Sequence, residues 1–116
     1  MEDVKRWRRD LHQIPELGLK EYQTAEYLRH ELEQMGYHWE SIIETGTLVY
    51  IDYGCQSTLA FRSDIDGLPI HEKNQVGYVS KHPGCMHACG HDGHMSALLG
   101  FAKRLKEIKE PLNYNI

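Results

Sequence analysis

The sequence predicts an α/β layered domain, and three observations carry that prediction. Three segments repeat apolar residues at the three- and four-residue spacing of a helix face, whereas TLAF, near the middle of the chain, is continuously apolar with no polar alternation. Such a run is expected of a strand buried on both faces, as in the centre of an α/β sheet. The order of elements, helix, helix, strand, strand, loop, helix, strand, is that of packed helix and sheet layers.

Each element has its own local reason. Val4, Trp7 and Leu11 share one helical face and Pro15 closes a first, short helix. Tyr22, Ala25, Leu28, Leu32 and Met35 line a second, and Gly36 stands where a helix commonly turns off through a left-handed residue. TLVYIDY and STLAFR are rich in β-branched and aromatic residues and follow one another closely, which predicts two neighbouring strands, as in a hairpin. Residues 71–90 have no clear period and carry Gly77, Pro83, Gly84 and Gly90, so they are expected to form a long functional loop. Met95, Leu98, Leu99, Ala102 and Leu105 mark the third helix, with Pro111 as its end. LNYNI then alternates like the opening of another strand. Two strands and part of a third would leave sheet edges open, so the 116 residues are expected to be the front portion of something larger.

Composition excludes several classes of function. A formal net charge of −4 has the wrong sign for neutralising a phosphate backbone, which argues against nucleic acid as a partner. MEDVKRWRRD lacks the apolar stretch of a secretory signal, and no apolar run approaches the roughly 20 residues that span a bilayer. A soluble, cytoplasmic protein without a membrane partner is expected. Three cysteines without an export signal do not suggest a disulfide scaffold; thiols available for metal or chemistry fit better.

The chemistry concentrates in two places. His82, His87, His91 and His94 fall within thirteen positions, together with Cys85 and Cys89, where even scattering would put about one histidine. Metal binding is the common cause of mixed Cys and His at such spacing. Cys89 and His91 flank Gly90, whose conformational freedom lets both side chains reach one centre. A helix starting near Asp92 would place the Cys89 sulfur by its positive end, which favours the metal-binding thiolate. Asp64 and Asp66 follow directly on the apolar strand, where α/β sheets gather functional groups, and can ligate a metal or hold a histidine ligand in its tautomer. Asp66-Gly67 also suits a plain turn. Cys55 and Cys85 are expected to be structural.

RRDLHQIPELGLKEYQT, FRSDIDGLPIHE and GCMHACGHDGHMSALLG, in this order and spacing, resemble the amino-terminal part of the amidohydrolase branch of the co-catalytic metallopeptidases, which includes hippurate hydrolases, N-acyl-amino-acid amidohydrolases and N-acetyldiaminopimelate deacetylases. The resemblance runs from about Arg8 to Ile116. It implies a three-layer αβα zinc-peptidase-like catalytic domain, here cut after the third main helix, with residues 1–116 as its amino-terminal part and a smaller dimerisation domain missing. It also implies that Cys89 and His91 are metal ligands, that Asp64 belongs to the active site, and that Asp66 stands behind it. Two divalent ions (manganese, zinc or nickel), an N-acyl amino acid as substrate, a metal-activated water and a homodimeric full-length form complete the expectation.

The Glu-Glu pair that supplies the family's general base does not follow His91; Glu107 and Glu110 are the only later glutamates. Two ligands cannot fill the roughly four positions zinc requires, so the chain alone is expected to hold metal weakly and to be catalytically silent. A competing reading makes Cys85, Cys89, His91 and His94 one closed structural zinc site. A third has the chain act as a binding partner through open sheet edges.

Overall fold

A computed structural model describes residues 1–116, with three helices and one short hairpin as its regular elements: α1 (Glu2–His12), α2 (Tyr22–Gln34), β1 (Glu40–Ile42), β2 (Gly46–Leu48) and α3 (His91–Glu107). The three helices fall where the apolar periodicity predicts. Trp7 and Leu11 of α1, Leu28 of α2 and Met95 and Leu99 of α3 form one buried cluster, with Val4, Ile14, Leu32, Met35 and Ile65 packed around it. Tyr22 departs from its expected face and is exposed, its hydroxyl donating to the Glu44 carboxylate at 3.2 Å. Gly36 ends α2 in the left-handed region, at φ +87°. The third helix stops at Glu107, short of Pro111, and Ile108 is already extended.

No side chain within α2 caps its first turn. Glu16 does so from outside: its carboxylate accepts the backbone N–H groups of Thr24 at 2.7 Å and Gln23 at 3.1 Å and the Thr24 hydroxyl at 2.7 Å. This bond fixes the Pro15–Glu16 corner. Gly67 in turn donates its N–H to the Glu16 carbonyl at 2.6 Å, and a Cβ at Gly67 would sit 2.9 Å from that of Pro15. Gly67 is therefore a close-approach residue rather than the centre of an Asp-Gly turn, and it ties the end of the Asp64–Asp66 segment to the Pro15–Glu16 corner.

The strands correct the expectation. TLVYIDY does not pair with STLAFR; its first residues, Thr47 and Leu48, pair antiparallel with Ser41 and Glu40 in a hairpin that the sequence does not announce. Its turn places Ile43 and Glu44 at φ +51° and +58°, positions usually held by Asn and Gly. Arg29 compensates by donating to the carbonyls of Glu44 and Gly46 at 2.8 and 3.0 Å and to the Thr47 hydroxyl. The terminal segment instead lies between the two apolar runs: Ile116 exchanges backbone hydrogen bonds with Ile51, while Asn115 bonds to Ser57 and Leu59 in a parallel bridge centred on Thr58. The buried Asn115 side chain also binds the backbone of Tyr53 and Cys55, satisfying groups that a local hairpin would otherwise use. A parallel contact between residues 58 and 115 with α3 between them is a crossover of the α/β kind.

TLAF is not buried on both faces. Phe61 meets Phe101 of α3 at 4.5 Å between ring centroids, yet Leu59 and Phe61 remain 43% and 50% exposed, because within these residues only one face has a helix to lie on.

Candidate functional site

Residues 71–90 form an irregular loop, as expected, but polar contacts tie it down. Lys81 donates its N–H to the Gln13 carbonyl at 2.8 Å, His82 Nδ1 meets the Pro15 carbonyl at 2.8 Å, and Leu68 and Met86 exchange backbone bonds. The loop thereby delivers Cys89 and Gly90 to the start of α3. Gly90 is the N-cap in the left-handed conformation, φ +92°, which only glycine adopts readily, so the chain turns sharply between Cys89 and His91 as the sequence requires.

His91 is where the two predicted constellations meet. Its Nδ1 lies 2.9 Å from the Asp66 carbonyl oxygen and 3.0 Å from Asp66 Oδ1, while Nε2 points toward Asp64 Oδ2 at 4.0 Å. Nδ1 with its proton donates to Asp66, which leaves the Nε2 lone pair free for a cation. A ring nitrogen bonded to a carboxylate or carbonyl, with its opposite nitrogen open, is the arrangement that surrounds metal-ligating histidines. Asp64 and Asp66 are 47% and 39% exposed and His91 19%, so the group opens to solvent on one side. Arg62 pairs with Asp64 at 2.5 Å and balances its charge. Cys89 carries an exposed free thiol.

The donors fit a divalent ion in kind but not in number. Thiol, imidazole and carboxylate are all present, yet no three of the His, Cys, Asp and Glu side chains converge in a metal-holding geometry. The closed four-residue zinc site through Cys85, Cys89, His91 and His94 is therefore not assembled. Cys85 is buried, and burial pushes its thiol up, whereas Cys89 lies at the surface; the His91 and His94 rings stand 6.0 Å apart. Burial likewise holds the His87 imidazole below its ordinary range, with Asp92 partly offsetting, and neither ring nitrogen has a hydrogen-bond partner. Cys55 is structural, its thiol directed to the Leu112 carbonyl at 3.1 Å.

Sequence reasoning missed a buried polar group beside the site. His12, on the inward face of α1, places Nδ1 2.7 Å from Asp92 Oδ2 and Nε2 2.9 Å from Glu72 Oε2. Arg8 adds a contact to Asp92 at 3.0 Å. The available signal was a histidine on an apolar helix face next to Leu11; its two acidic partners are 60 and 80 residues away and no spacing links them.

Known proteins resemble this chain in sequence and fold. Residues 60–116 match the model of peptidase family M20/M25/M40. The whole chain is 48% identical to an uncharacterized hydrolase of Staphylococcus haemolyticus and 44% identical to one of Staphylococcus epidermidis, and it spans 31% of the length of each. Among solved structures it resembles the Bacillus subtilis YXEP protein, a dinuclear metal binding peptidase of the M20 family, at 34% identity and a TM-score of 0.87 over 97% of this chain and 32% of that one. A structure from methicillin-resistant Staphylococcus aureus, described as that of a putative aminohydrolase, gives 36% identity and a TM-score of 0.89 over 98% of this chain and 31% of that one. The α/β arrangement of helices, crossover and loop is thus a partial form of that larger fold, and the chain is similar to peptidase family M20/M25/M40 through residues 60–116.

Proposed function

We propose that the chain carries part of the metal site of an amide hydrolase that acts on N-acyl amino acids or related small peptide-like amides. Cys89 and His91 hold a divalent ion, manganese, zinc or nickel, one of two in the complete enzyme. Asp64 faces the reacting centre, and Asp66 orients His91. The observation that carries this reading is the pair of Asp66 contacts to His91 Nδ1, which turn Nε2 outward beside the loop bearing the exposed Cys89 thiol. Support for two ions comes from the dinuclear metal binding described for the Bacillus subtilis relative.

When bound, the ion supplies Lewis acidity and lowers the pKa of water at its open position. The chain's own residues do the rest: Asp66 accepts the His91 N–H and fixes the tautomer, and Arg62 holds the Asp64 carboxylate in place. No glutamate pair is present to serve as general base, so these residues alone bind metal weakly and do not turn over. Residues 1–116 are read as the amino-terminal part of the catalytic domain of a cytoplasmic enzyme, with a separate dimerisation domain pairing two copies of the full-length form.

Metal content tests the proposal. A version extended to the length of the relatives should hydrolyse N-acetyl or N-benzoyl amino acids with manganese present, and Cys89→Ser should lower bound metal and activity together, the latter at least a hundredfold. Unchanged metal content in Cys89→Ser would remove this ligand assignment.

A further inference from the structure

The Glu72, His12 and Asp92 side chains are only 3%, 3% and 2% exposed, and no metal ligand is among them. They link three parts of the chain: the end of α1, the irregular loop and the first turn of α3. Ionisable groups this deep are unfavourable unless partnered, and here every partner is in place. His12 bridges the two carboxylates through both ring nitrogens; Glu72 also accepts the Ser80 N–H at 2.7 Å and the Asn74 amide at 3.0 Å; Asp92 accepts the Gly93 N–H at 2.9 Å through its second oxygen. Tyr78 closes over the His12 ring, edge to face, at 5.8 Å between centroids.

Asp92 follows His91 directly, with the left-handed Gly90 just before, so whatever holds Asp92 sets the rotation of the turn that presents Cys89 and His91. Arg8 also reaches Asp92, but it is 40% exposed, and solvent screens that pair. We propose that Glu72 and His12 are positioning residues: the Glu72–His12–Asp92 relay locks the junction between loop and α3 and so aims Cys89 and His91 at one ion. The inference rests on the metal reading of those two residues and adds the device that orders them. Groups that orient metal ligands from behind commonly change affinity by about 10- to 100-fold when replaced.

Cobalt(II) titration read by the thiolate absorption band, with residue-resolved amide exchange, tests it on the chain extended to the length of its relatives, where the remaining ligands are supplied. His12→Ala and Glu72→Gln should each weaken cobalt binding about tenfold or more and speed exchange at residues 89–94 while α2 stays protected. His12→Asn, which keeps a donor for Asp92, should recover part of the affinity. Arg8→Ala should have a smaller effect than either. Unchanged affinity with unchanged exchange at 89–94 overturns the proposal, as does exchange that rises equally in all three helices, the mark of a merely structural role. Should His12→Ala fail to fold, Glu72→Gln, which keeps shape and an acceptor oxygen, decides. Absence of the band in the unaltered chain, or its persistence in Cys89→Ser, refutes the metal reading, and exchange at 89–94 then decides the positioning alone. A Cys89-dependent band indifferent to both His12 and Glu72 refutes the positioning alone.

Discussion

At the scale of single residues, Glu72 shows how environment overrides ordinary chemistry. Burial by itself would raise its carboxyl pKa, but hydrogen bonds from His12, the Ser80 N–H and Asn74 outweigh it and hold the group at about 2, against an ordinary 4.5. A carboxylate depressed in the folded state contributes stability that is complete above the unfolded value and disappears as pH falls toward the folded one. The window is therefore pH 4.5 down to 2. Urea unfolding should show a stability loss on the order of 1–3 kcal/mol across that window, and Glu72→Gln should be less stable at pH 6 with a flatter slope below 4.5. An equal slope in both proteins would assign the acid sensitivity elsewhere. At this scale the sequence was informative about Asp64 with Asp66 and Cys89 with His91, each pair two positions apart, whereas the meeting of Asp66 with His91, 25 residues on, came only from folding. It was silent about His12, whose role exists only through residues that folding brings to it.

Among the elements, the crossing of α1 and α3 is the main packing event, and it is close. A Cβ at Gly100 would lie 2.9 Å from Val4 Cγ2. Glycine inside a helix costs about 0.5–1 kcal/mol relative to alanine, so the missing side chain has a packing reason. Gly100→Ala should destabilise the protein alone but stabilise it by up to about 1 kcal/mol in a Val4→Ala background; thermal unfolding of the four proteins in the cycle measures this. Additive effects would show that the two positions do not press on one another. Leu11, fully buried where the same helices meet, should cost about 2–5 kcal/mol on truncation to alanine, read from the urea midpoint. The helices were legible because each buries one periodic face. The hairpin was not, since its turn is held by Arg29 from α2 and uses Ile43 and Glu44 in a conformation their types do not favour.

For the molecule as a whole, shape and surface tell one story. The radius of gyration is 15.1 Å, where a compact chain of this length has about 13 Å, and the 7752 Å² of accessible surface exceeds the roughly 6500 Å² of a compact monomer of 13.5 kDa. The excess includes Tyr50, Tyr53, Leu59, Phe61 and Ile70, all exposed, on and beside the apolar runs that flank the terminal segment. Exposed apolar side chains gathered along one stretch of chain bind apolar dyes and promote association where they form a patch. The 116-residue protein should enhance anilinonaphthalene sulfonate fluorescence and enlarge with concentration on size exclusion, and Leu59→Lys should reduce both. A dye-silent, strictly monomeric protein would mean that this surface is covered in solution.

What the sequence determined by itself is local: three amphipathic helices, the glycine-bounded loop and the ligand-type pattern around Cys89 and His91, each specified by residues within a few turns of one another. The tertiary structure decided the pairings. It inserted residues 114–116 between two runs that looked like neighbours, joined Asp66 to His91 and closed His12 onto Glu72 and Asp92. Hydrophobic periodicity records which face of an element is buried, but the partner of a polar group is set by where the packed helices bring the backbone, and that information is spread over the whole chain.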